Sequence, residues 1–74
     1  MNIFRENDVI RLREELEASI ITGDEIFVPK GTIGTIVLVH GNPDQPSAYE
    51  IEFFIPGQND FALATVDVKW VSKV

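Results

Sequence analysis

The chain has 74 residues, twelve acidic against six basic side chains, a net charge of −6 and no cysteine. That length suits one domain of 1–74 with a single core, and the missing thiols exclude disulfides and thiolate metal sites. The acidic balance repels phosphate backbones, so nucleic acid is a disfavoured partner.

Between Phe4 and Glu17 charged residues recur at Arg5, Glu6, Asp8, Arg11, Arg13, Glu14 and Glu15, which breaks any apolar stretch of signal-peptide or membrane-span length. The expectation is a cytoplasmic protein with no membrane partner. A reducing compartment agrees with the absence of cysteine.

The first strand is expected at Asp8-Val9-Ile10-Arg11-Leu12-Arg13, where Ile10 and Leu12 alternate with charge. From Glu14 to Lys30 the pattern is ambiguous. Leu12, Leu16 and Ile20 repeat at helical spacing, yet Arg11 and Glu15, and Arg13 and Glu17, pair in the weaker order and no capping residue precedes them. The balance favours a long, partly ordered loop with turns at Thr22-Gly23-Asp24 and Val28-Pro29-Lys30-Gly31, the latter with proline and glycine as a type I turn prefers.

Thr32 to His40 is the strongest strand; both its faces carry apolar side chains, which predicts a central position, and Gly34 permits a bend or a close backbone crossing. Gly41 to Ser47 concentrates turn formers and is expected to be an exposed loop. Tyr49, Ile51, Phe53 and Ile55 then alternate with Glu50, Glu52 and Phe54, so Phe54 alone spoils a polar face. After a turn at Pro56 to Asp60, a strand at Phe61 to Thr65 carries Ala62, Leu63 and Ala64 for tight packing. A short helical turn is compatible with the run Val66 to Trp70, before a closing strand at Trp70 to Val74.

Five strands with a long excursion after the first predict a mainly β fold, a small, strongly bent antiparallel barrel that hides its strand edges. Val28-Pro29-Lys30-Gly31-Thr32-Ile33-Gly34-Thr35-Ile36-Val37, Ala48-Tyr49-Glu50-Ile51-Glu52-Phe53 and the opening Asp8-Val9-Ile10 carry a resemblance. The chain resembles a family of uncharacterised short bacterial SH3-like barrel proteins, from Phe4 to about Val71. That resemblance implies a five-stranded SH3-like barrel with a long acidic loop after its first strand, and it implies no reaction. The same strand grammar is similar to KOW elements and to the barrel of nitrile hydratase β subunits. The Ala-Leu-Tyr-Asp-Tyr run of peptide-binding SH3 domains is absent.

Candidate chemistry is sparse. Gly31-Thr32-Ile33-Gly34-Thr35 lacks the following helix that a phosphate loop needs. His40 beside Asp44 offers a base and an orienting carboxylate without a distinguished nucleophile. Glu50 and Glu52, ~7 Å apart along a strand, are better explained as a solvated face than as paired catalytic carboxylates. No cofactor, metal site or catalytic residue is expected.

The best functional candidate is the excursion bearing Glu14, Glu15, Glu17, Asp24 and Glu25, with Phe27, Phe54 and Trp70 as apolar anchors. It points to a non-enzymatic protein-interaction module that binds a basic protein surface, a pattern compatible with a regulator, an antitoxin or an immunity protein. An accessory subunit docking on a larger enzyme is the alternative; KOW-like nucleic-acid binding through Arg5, Arg11, Arg13, Lys30, Lys69 and Lys73 ranks third.

Overall fold

The computed structural model describes residues 3–57 and 60–74. Its strands are β1 (Val9–Leu12), β2 (Leu16–Ile20), β3 (Glu25–Val28), β4 (Ile33–Asn42), β5 (Gln45–Ile55), β6 (Asp60–Asp67) and β7 (Val71–Lys73), with a 3-10 turn η1 at Val68–Trp70. They form one antiparallel sheet, ordered β3-β2-β6-β5-β4-β1-β7, curled into a half-barrel.

Two of these strands correct the sequence reading. The segment expected as a long acidic loop is the β2–β3 hairpin, in which Leu16 faces Val28, Glu17 faces Phe27, Ala18 faces Ile26 and Ser19 faces Glu25. The helix-like spacing of Leu16 and Ile20 misled because both also fit a period of two with Ala18, whose small side chain is buried. At the hairpin end, the Gly23 amide donates to the Ile20 carbonyl and the Ile20 amide to the Asp24 carbonyl, both at 2.9 Å, with Gly23 at φ 93°. This is the three-residue connection whose last position needs left-handed backbone.

Gly41 to Ser47 is likewise mostly strand. Pairing runs through Gly41 opposite Pro46 and Asn42 opposite Gln45, leaving Pro43-Asp44 as the turn. Proline presets the backbone there, and the Asn42 side chain accepts from the Asp44 amide at 2.8 Å, so the turn formers tighten a hairpin instead of opening a loop. The Pro29 turn lies one residue later than expected: Thr32 donates to the Pro29 carbonyl, with Gly31 at φ 91° in the third position. Of the Pro56 to Asp60 turn, Gln58 and Asn59 lie outside the described residues.

Ile10, Leu12, Ala18, Val28, Ile36, Tyr49, Ile51, Phe53, Ala62, Val66 and Val71 form the core with Phe4. β4 is central, between β5 and β1. Its apolar run is not buried on both faces, because a bulge between Ile36 and Leu38 shifts the register and turns Val37 and Leu38 outward while Ile36 stays buried. Gly34 makes the curl possible: a Cβ there would lie 2.6 Å from Ile51 and 2.7 Å from the Phe53 ring. The Phe4 amide donates to the buried Tyr49 hydroxyl at 3.1 Å, and the two rings meet edge-on, which seats the N-terminal segment on the core. Among the described residues no helix is long and apolar enough to cross a membrane.

Candidate functional site

The outer face of β3, β2, β6 and β5 has an unusual make-up. These four strands contain no lysine or arginine, while Glu17, Glu25, Glu50, Glu52 and Asp67 lie along them. The basic residues occupy the N-terminal segment, β1, η1, β7 and the flanking turns, at Arg5, Arg11, Arg13, Lys30, Lys69 and Lys73.

Set among the carboxylates are large apolar side chains. Phe27, Phe54, Phe61 and Leu63 are 60%, 48%, 50% and 44% exposed. Phe54 and Phe61 face each other across β5 and β6 with ring centroids 5.3 Å apart, an edge-to-face pair on the solvent side. One cross-strand row runs Thr35, Glu52, Leu63, Ser19, Glu25 from β4 to β3, so an exposed leucine lies between Glu52 and Ser19, with Glu25 one strand further on.

The expected site residues divide into three groups. Glu17, Glu25 and Phe27 share the outer face of the β2–β3 hairpin, as the alternation of buried Ala18 and half-buried Ile26 requires. Glu14 and Glu15 are exposed in the bend before β2, and Asp24 is exposed at the hairpin end, where its carboxylate accepts from the Thr22 hydroxyl at 3.1 Å. Phe54 lies on β5, two strands beyond the hairpin. Trp70 stands apart in η1, with its carbonyl accepting from the Arg13 amide at 2.8 Å.

Glu17 and Glu25 sit diagonally across the hairpin. A side-chain hydrogen bond with Glu17, and then repulsion from its charge, hold the Glu25 carboxyl above its ordinary value. The charged form of Glu25 is thus disfavoured beside Glu17, and a cation placed between the two carboxylates would favour it.

Phe61 and Leu63 escaped the sequence reading, which used this strand for tight packing. The signal was present: Ala62 and Ala64 share a phase with Val66, and that phase faces the core, which sends the two larger residues outward. His40 is also re-paired. Its Nε2 lies 3.4 Å from Glu50 Oε1, the oxygen that accepts from the Thr65 hydroxyl at 2.5 Å. Glu50 thus bridges the His40 ring and the Thr65 hydroxyl, and the trio ties β4, β5 and β6 together. Asp44 meets Asn42 instead.

Two clefts flank the N-terminal segment, one of about 580 Å³ bounded by Ile3 to Asn7, Val39, Pro43 and Asp44, and one of about 340 Å³ between Ile3, Phe4, Asp8, Val9 and Lys73. No group of three or more potential metal ligands occurs among the described residues. Compared with known proteins, the chain matches no family model, no curated protein and no solved structure at a significant level.

Proposed function

We propose that this chain is a non-enzymatic protein-interaction module of SH3-like type whose outer sheet face binds a basic protein surface. The observation that carries the reading is the four-strand face without a lysine or arginine, where Phe27, Phe54, Phe61 and Leu63 stand exposed among carboxylates. Aromatic side chains supply much of the binding energy at protein interfaces, and complementary charge sets encounter rate and partner choice. A regulator, an antitoxin or an immunity protein would each use such a face in a cytoplasmic setting.

The exposed Phe54–Phe61 pair favours a second reading, an accessory subunit held on a larger enzyme by hydrophobic burial. Salt separates the two. Affinity capture of the tagged protein from its native host at low and at high salt is the test. The module reading expects capture that high salt weakens and that a Glu17→Lys, Glu25→Lys double variant abolishes. Capture indifferent to salt and to charge reversal, yet lost in Phe54→Ser, would replace it with the accessory-subunit reading.

A further inference from the structure

The half-barrel leaves β3 with one neighbour, β2, and so with one bare edge. Which backbone groups face that edge follows from the ladder. The Ile20 amide bonds to the Asp24 carbonyl, and antiparallel pairs alternate between hydrogen-bonded and non-bonded positions. Ala18 with Ile26 and Leu16 with Val28 are therefore the bonded pairs, while Ser19 with Glu25 and Glu17 with Phe27 are not. The N–H and C=O groups of Glu25 and Phe27 consequently point away from β2, where no backbone partner meets them among the described residues.

Edge strands are normally blunted by lysine, proline or a bulge. The opposite edge follows that practice: β7 has three residues and carries Lys73. β3 has no lysine, no proline and no bulge, and it presents Glu25 and a Phe27 that is 60% exposed. Its inward-facing Ile26 is only half covered, which leaves core surface for a further strand to bury.

We infer that the bare edge of β3 is a strand-addition site for an extended segment of a partner protein that alternates basic and apolar residues. This rests on the protein-binding reading and specifies its mode. A segment lying along β3 would hydrogen-bond to the backbone of Glu25 and Phe27. Its residue opposite Glu25 emerges on the outer face beside Glu17 and Glu25, where a lysine or arginine meets two carboxylates. Its residue opposite Ile26 turns inward and is apolar. The residue opposite Phe27 again faces outward, against the aromatic ring. A second copy of this chain is the wrong occupant, since its own β3 would bring another Glu25 to the same acidic row.

The test uses the intact protein and a synthetic capped peptide that alternates arginine with valine and isoleucine, followed by amide NMR titration at low salt. Binding is expected with the largest shifts at Glu25 and Phe27. Two further peptides, N-methylated at one or the other alternate set of amides, should split: one set loses about tenfold or more in affinity, the other little, because only one set faces β3. In the protein, Phe27→Pro removes an amide that no intramolecular bond uses. It should abolish binding while the spectrum elsewhere stays native, and Phe27→Ala should only weaken it. Equal binding of both methylated peptides, shifts confined to Phe54, Phe61 and Leu63, no binding of any peptide, or peptide-independent dimerisation through β3 would each overturn the inference. The first two would leave the acidic outer face intact as a binding surface, so the edge and the face fail separately.

Discussion

The hairpins β4–β5 and β2–β3 share antiparallel pairing and period-two alternation, yet they do opposite work. β4 and β5 run 10 and 11 residues and are flanked by β1 and β6, whereas β2 and β3 run five and four, with one side of β3 bare. The inward residues Ile36, Tyr49, Ile51 and Phe53 of the long pair are fully buried, and Gly34 sits flush against them. In the short pair only Ala18 and Val28 reach that depth, and Leu16, Ile20 and Ile26 remain half covered. The long hairpin thus makes the core, and the short one makes surface.

This contrast can be broken by substitution, and the largest effect belongs to Gly34→Ala. The added Cβ would lie 2.6 to 2.8 Å from Ile51 and Phe53, and overpacking of that kind costs about 1–3 kcal/mol. In a domain of this size that lowers the melting temperature by roughly 4–8 °C per kcal/mol, read by thermal unfolding. Survival of full stability would mean that the core does not press on β4 as described.

Tyr49→Phe comes next. It strips the acceptor from the Phe4 amide while keeping the ring contact, at an expected cost of about 1–2 kcal/mol. Faster hydrogen exchange at Phe4, with β2 and β3 unchanged, would locate the loss in the N-terminal seat. Phe54→Ala should cost about 1 kcal/mol or less, the worth of an exposed aromatic pair with Phe61. Denaturant unfolding measures it, and a loss near that of Gly34→Ala would show that the outer pair belongs to the folding core.

On the short hairpin Phe27→Ser should change stability by no more than about 0.5 kcal/mol, since the ring is largely exposed. The smallest effect is a titration. Glu25 holds its proton more tightly folded than unfolded because of Glu17. The folded state therefore binds more protons, and stability falls slightly as pH rises from the ordinary carboxylate value through the raised one. Glu17→Gln replaces the carboxylate whose hydrogen bond and charge raise it, so the Glu25 carboxyl, followed by NMR, should titrate closer to its ordinary value and that slope should flatten.

Alternation made much of this legible in advance. Tyr49, Ile51 and Phe53 inward against Glu50, Glu52 and Phe54 outward needs only a period of two, and the structure keeps it. The β2–β3 hairpin was harder. Leu16 and Ile20 satisfy helical and extended spacing alike, and the residue between them that breaks the tie, Ala18, is small enough to be indifferent. In β4 the bulge at Val37 was invisible because an apolar run looks the same with or without a register shift.

By itself the sequence determined the strand character of β1, β5 and β6 and of most of β4, the turn at Thr22-Gly23-Asp24, the depth of Tyr49 and Phe53 and the concentration of carboxylates from Glu14 to Glu25, because these depend on local chemistry and on neighbours two residues away. Only the tertiary structure decided that Glu17, Glu25 and Phe27 share a sheet face with Phe54, Phe61 and Leu63, that Trp70 lies apart from them, and that β3 ends the sheet unpaired. Pairing order is set by which strands meet on closing the core over long sequence separations, and no local pattern encodes it.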